Sequence, residues 1–114
     1  MGMDMELIRE NDDTSVVIAE WRKFFPLHNW IDQHIPTKVN AMFEYIPISK
    51  DIMDNLLSDI NYVLEDHKKA PSIFDGWNDS FDNDFYFNQL QYTKNMLELC
   101  LQDKYGIYFY HSYI

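Results

Sequence analysis

Apolar residues recur along this chain in three stretches with helical spacing and two with strand character, separated by Pro-, Gly- and Asp-rich breaks. The first stretch runs through Val17, Ile18, Trp21, Phe24, Phe25 and Leu27, a mixed three-and-four spacing that predicts a helix capped by Asp13 or Thr14. Pro26 lies inside it. Proline lacks an N–H and disfavours a helical residue before it, so a kink is expected there, followed by a second piece through Trp30 and Ile31 that ends before Pro36. Residues 1–13, polar and acidic, read as a frayed N-terminus ahead of a single globular domain over residues 14–114.

Residues 42–48 are rich in aromatic and branched side chains and predict a short strand, which Pro47 confines to a sheet edge. Ser49 then suits an N-cap, with Asp51 in the first turn where the helix dipole favours a carboxylate. Ile52, Leu56, Ile60 and Val63 mark one face of this second helix, which Lys68 and Lys69 are expected to close. Residues 71–83 read as a loop. Asp82 or Asp84 caps a third helix whose face is Tyr86, Leu90, Thr93, Leu97, Cys100 and Leu101, with Gly106 as its stop. The aromatic end, residues 106–113, has strand propensity and is expected to pair with residues 42–48.

The expected fold is therefore α+β and mainly helical: three helices, the first kinked near Pro26, packed with a two-stranded antiparallel sheet. Aromatic residues make up 17% of the chain, and such rings each bury a large area, so a short chain acquires a firm core. Trp21, Phe25, Phe85, Tyr86 and Phe109 are assigned to that core. Trp77, Phe81 and Phe87 flank the loop, and Tyr108, Tyr110 and Tyr113 are placed outward on the terminal strand, as an interaction surface or a homodimer seam.

Charge narrows the partners. Nine Lys and Arg face nineteen Asp and Glu, for a net charge of −10, which opposes direct contact with nucleic acid or an anionic membrane and favours a basic partner surface. One cysteine, Cys100, permits neither an intramolecular disulfide nor a thiolate zinc site and points to a reducing compartment, the cytoplasm. No secretory signal and no apolar run of membrane-spanning length occur. The four histidines lack metal-ligand spacing, the acidic loop around Asp75, Asp79, Asp82 and Asp84 lacks the geometry of a calcium loop, and no serine sits in a nucleophile elbow. No catalytic residue, metal or cofactor is expected.

Three pieces line up in order: Glu20-Trp-Arg-Lys-Phe-Phe-Pro-Leu-His-Asn-Trp30; the loop and helix from Phe74-Asp-Gly76 through Asp84-Phe-Tyr-Phe-Asn-Gln-Leu90 to Leu97; and Ile107-Tyr-Phe-Tyr110. Over residues 16–114 the chain resembles a widespread family of small uncharacterised bacteriophage and prophage proteins. That resemblance implies a phage setting within a host cell and no known reaction.

The gathering of basic, aromatic and titratable groups at Trp21, Arg22, Lys23 and His28 is the candidate site, with Trp30 and Trp77 as further ring platforms. The competing reading places Trp21 and His28 in the core and pairs Arg22 with a carboxylate. Two functions follow. One is a non-enzymatic accessory protein that binds a host or phage protein, in a counter-defence or host-modulating role, with an acidic mimic of nucleic acid as a subtype. The other is a small-molecule or nucleotide binder built on Arg22, Lys23 and His28.

Overall fold

Met3, Met5 and Leu7 alternate with Asp4 and Glu6, a period of two that places three apolar side chains on one face and carboxylates on the other. This segment is a strand, and the computed structural model, which describes residues 3–35, 45–77 and 83–113, makes it the centre of the fold. Chain order is β1 (Asp4–Glu10), β2 (Ser15–Arg22), α1 (Phe25–His34), β3 (Tyr45–Ile48), α2 (Lys50–Glu65), a 3₁₀ turn (His67–Lys69), α3 (Ala70–Ile73), α4 (Asn83–Gln102) and β4 (Ile107–Tyr113).

The expected three helices and two-stranded sheet are corrected to four helices and a four-stranded sheet in the order β2-β1-β4-β3, antiparallel throughout. The fourth helix is the short α3, at the start of the segment expected to be a loop over residues 71–83, and two further segments account for the extra strands. The acidic N-terminus, taken as frayed, is β1, hydrogen-bonded on both sides to β2 and β4. The first half of the expected kinked helix is β2. Its run Val16-Val17-Ile18 is β-branched throughout, which favours the pleated surface over a helix.

A bulge disguises β2. Leu7 faces Ala19 while Ile8 faces Val17, so Ile18 is the extra residue and the inward positions lose their period of two. Pro26 does not kink a helix; it sits in the first turn of α1, where a missing N–H breaks no intrahelical bond. Lys23 joins the two elements in the left-handed region at φ 56°, its backbone N–H donating to the Met3 carbonyl at 2.8 Å.

The expected pairing of the terminal strand with the segment ending at Ile48 is present: β3 runs antiparallel to β4, with Pro47 on the sheet's edge. Residues 42–44 of the expected strand lie outside the described residues, as do Asp79, Phe81 and Asp82 of the loop. Ser49 caps α2, its hydroxyl accepting from Ile52 N at 3.2 Å, and Met53, Leu56, Ile60 and Val63 are buried. Lys68 and Lys69 do not close α2, which ends at Glu65; they belong to the 3₁₀ turn, capped by Asp66. Helix α4 buries Leu90, Thr93, Leu97 and Cys100 and ends at Gln102, before Gly106.

The core lies between the sheet's inner face and the helices. Leu7, Trp21, Ile48 and Tyr110 from the strands meet Leu27 and Ile31 of α1, Ile52, Met53 and Leu56 of α2, and Thr93, Met96 and Leu97 of α4. Trp30, Tyr110, Phe24 and Phe74 are fully buried, and side chains of this size contribute roughly 1.5–3 kcal/mol each on burial. At the centre remains a void of about 20 Å³. Its apolar lining leaves a water without hydrogen-bond partners, so it stays dry.

Candidate interaction surface

Strand geometry separates the residues of the sequence-derived cluster, because neighbours on β2 point to opposite faces of the sheet. Trp21 points inward and is buried, its Nε1–H donating to Thr93 Oγ1 at 2.8 Å and its ring meeting Tyr92 edge-on. Arg22 points outward, its side chain 81% exposed, and pairs with Asp4 at 3.0 Å. Trp21 belongs to a strand and not to the expected first helix, so it shares no helix with His28, which lies in α1.

Arg22 and Lys23 are brought together with Phe85 and Tyr86, near the start of α4, around a surface groove of about 460 Å³. His28 and Trp30 stand apart from it. Trp30 is buried, donates to Asp59 at 2.8 Å and stacks on His34. Trp77 is half-buried among Phe74, Tyr86 and Phe87.

His28 lies 2.7 Å through Nδ1 from the Tyr110 hydroxyl. Burial raises the Tyr110 pKa, which keeps the phenol protonated, and Ser112 bonds to the same oxygen. Burial lowers the His28 pKa, opposed by the charge of Asp32, which favours the neutral ring. This chain of bonds ties α1 to β4.

A second polar network joins the other end of the sheet to α4. Arg9 Nε donates to Asp103 Oδ2 at 2.6 Å, the Tyr108 hydroxyl donates to the same oxygen at 2.7 Å, and Lys50 Nζ donates to the Asp103 carbonyl. The Arg9 bond, then the Tyr108 bond, hold the Asp103 carboxyl well below the usual carboxylate range. Burial pushes the Tyr108 phenol and the Cys100 thiol up. A buried thiol with a raised pKa is a poor nucleophile.

The feature that sequence reasoning missed is the outer face of the sheet. All the described strand-to-helix core contacts lie on the inner face, and no described helix packs on the outer one. Its rows, read across the strands, are Arg22–Asp4–Tyr113, Glu20–Glu6–His111–Tyr45, Val17–Ile8–Phe109–Pro47 and Ser15–Glu10–Ile107. An apolar row thus crosses all four strands between two rows that carry carboxylates.

Several expectations about ring placement are corrected here. Tyr108 and Tyr110 point inward and are buried, so the outward rings of β4 are Phe109, His111 and Tyr113. Phe25 and Phe85 are not core residues but 41% and 40% exposed, and Phe109 is half-buried on the outer face. Tyr45 and Ile107, 60% and 59% exposed, border the apolar row. Tyr45 stacks on His111 at 4.3 Å between ring centres, and His111 pairs with Glu6 at 3.0 Å.

Two shallow grooves open on this face. One, about 300 Å³, is lined by Ile8, Glu10, Ser15, Tyr45 and Phe109. The other, about 270 Å³, includes Asp4, Glu6, Glu20, Arg22 and Tyr113. The alternation Met5/Leu7 against Glu6/Ile8/Glu10, with Ile107/Phe109/His111/Tyr113, was the available signal. It was legible only once residues 4–10 were recognised as a strand.

The β2 edge of the sheet is covered in part. Tyr92 of α4 reaches over it, its hydroxyl accepting from the Glu20 backbone N–H at 3.1 Å, which occupies a donor that an added strand would need.

Comparison with protein-family models, curated proteins and solved structures gives no match. Among the described residues no group of three or more His, Cys, Asp or Glu side chains is placed to hold a metal ion. No described helix is long and apolar enough to cross a membrane.

Proposed function

We propose that this protein is a non-enzymatic accessory protein of phage type that acts in the host cytoplasm by binding a host or phage protein through the outer face of its sheet. One observation carries this reading: on the outer face Val17, Pro47, Tyr45 and Ile107 stand exposed around the half-buried Phe109 and the buried Ile8, with no described helix over them. A contiguous exposed apolar surface rimmed by polar groups is the usual form of a protein-binding site. The core void is too small for a ligand, and the titratable groups of the interior are engaged in structural bonds.

The test is site-specific photo-crosslinking in host cells. A benzoylphenylalanine in place of Tyr45 is expected to capture a discrete partner, whereas the same probe in place of Leu99, exposed on α4, captures none. Equal labelling from both positions, or none from Tyr45, overturns the reading.

The groove bounded by Arg22, Lys23, Phe85 and Tyr86 supports a second reading, a binder of small anions with a ring, such as nucleotides. His28 no longer contributes to it, since its Nδ1 is engaged by Tyr110. A thermal-melting screen against a nucleotide panel decides this reading: a shift that Arg22→Ala abolishes supports it, and a flat profile rejects it.

A further inference from the structure

The outer sheet face specifies more than a sticky surface, because its charges are arranged. Glu10 and Glu20 are exposed, and neither side chain has a hydrogen-bond or ion-pair partner among the described residues. Asp4 and Glu6, by contrast, are engaged by Arg22 and His111. The two free carboxylates stand on opposite sides of the apolar row. Glu20 pairs in register with Glu6, and Glu6 and Glu10 are four residues apart on β1. Strand rise and spacing put Glu10 and Glu20 roughly 14 Å apart at the backbone.

Each carboxylate borders a groove with an aromatic wall. Glu10 shares its groove with Tyr45 and Phe109, and Glu20 shares its groove with Tyr113, Glu6 and Asp4 and with Arg22, whose charge Asp4 offsets. A carboxylate beside an aromatic ring accepts a Lys or Arg head, through charge and through the ring face, while the aliphatic stem lies on apolar surface. The Ile8 and Phe109 side chains that floor the Glu10 groove, with exposed Val17 beside them in the same row, separate the two carboxylates and accept an apolar side chain.

We infer that the occupant is an extended segment of a partner protein with the pattern basic-x-apolar-x-basic. In an extended chain residues i, i+2 and i+4 point the same way, and i to i+4 spans roughly 13 Å, close to the separation of the carboxylates. This inference rests on the proposed protein-binding role of the face and adds the chemistry of the partner. A second copy of this chain fits poorly, since two-fold docking of the face on itself brings Glu10 and Glu20 against like charges. Nucleic acid fits worse.

The test uses the full chain and two fluorescent peptides of equal composition. One carries arginines four residues apart around a central valine, the other the same residues with the arginines adjacent. Anisotropy titrations are run at low and high salt, with sedimentation of the protein alone. The spaced peptide is expected to bind at least tenfold more tightly than the adjacent one, and more weakly at high salt. Glu10→Gln with Glu20→Gln is expected to weaken it at least tenfold, while Asp54→Asn with Glu65→Gln, exposed acids of α2, leaves it unchanged.

Equal binding of both peptides, or equal loss in the two double variants, means attraction by net charge only and overturns the inference. No binding of the spaced peptide also overturns it, as does a stable dimer whose formation Tyr45→Ala abolishes. If the Tyr45 crosslink persists while the peptide fails, the protein-binding reading stands and the basic pattern alone falls.

Discussion

The indole N–H of Trp21, on strand β2, donates to the hydroxyl of Thr93 in the middle of helix α4, 72 residues further along the chain, at 2.8 Å. Thr93 in turn donates to the Gln89 carbonyl at 2.7 Å, so one buried hydroxyl satisfies both its roles. The bond explains why a threonine occupies the apolar face of α4 between Leu90 and Leu97.

Thr93→Val keeps the shape of the side chain and leaves the Trp21 N–H buried without an acceptor. Such a group costs about 1–3 kcal/mol. Urea unfolding is expected to show a loss in that range with an unchanged m-value.

Removal of residues 1–10 is expected to abolish cooperative unfolding altogether. The segment forms β1, which pairs with β2 and β4 and buries Met5 and Leu7. Without it β2 loses its strand partner and β4 is left in a two-stranded ribbon with β3, which is too small to stand alone. Retention of a sharp thermal transition in the truncated chain contradicts this architecture.

Acid weakens the fold in two separable windows. Burial lowers the His28 pKa from 6.5, so the unfolded chain binds a proton more readily than the folded one. Stability from this group is full above about pH 6.5 and is lost as pH falls through the folded value. Asp103 has an ordinary value of 3.8, lowered by Arg9 and Tyr108, so its contribution is present above about pH 3.8 and lost only below it. His28→Gln is expected to flatten the upper part of a stability-versus-pH curve, and Asp103→Asn the lower part.

Gly106→Ala is expected to destabilise although the position lies outside every helix and strand. A Cβ there falls 2.3 Å from Asp103 Oδ2 and 2.7 Å from the Tyr108 ring, so the contact between those two residues has to give way. Overpacking of this kind typically costs about 1–3 kcal/mol; a thermal midpoint equal to that of the parent chain refutes the tight approach.

What the sequence by itself determined is local. Ser49 as the cap of α2, the buried stripe of that helix, and the buried face of α4 at Leu90, Thr93, Leu97 and Cys100 are encoded in residues near one another, where spacing and capping chemistry act; the strand propensity of the two aromatic segments is local too, although their pairing is long-range. The tertiary structure alone decided the rest. Met3-Asp-Met-Glu-Leu7 reads as a strand only when β2 and β4 are there to take its backbone bonds, and the bulge at Ile18 erases the alternation that would have revealed β2. The outer face is likewise assembled from four strands distant in sequence, so the row Val17–Ile8–Phe109–Pro47 has no signature along the chain. A surface made by register between strands comes into being only when the strands pair, and no window of consecutive residues contains it.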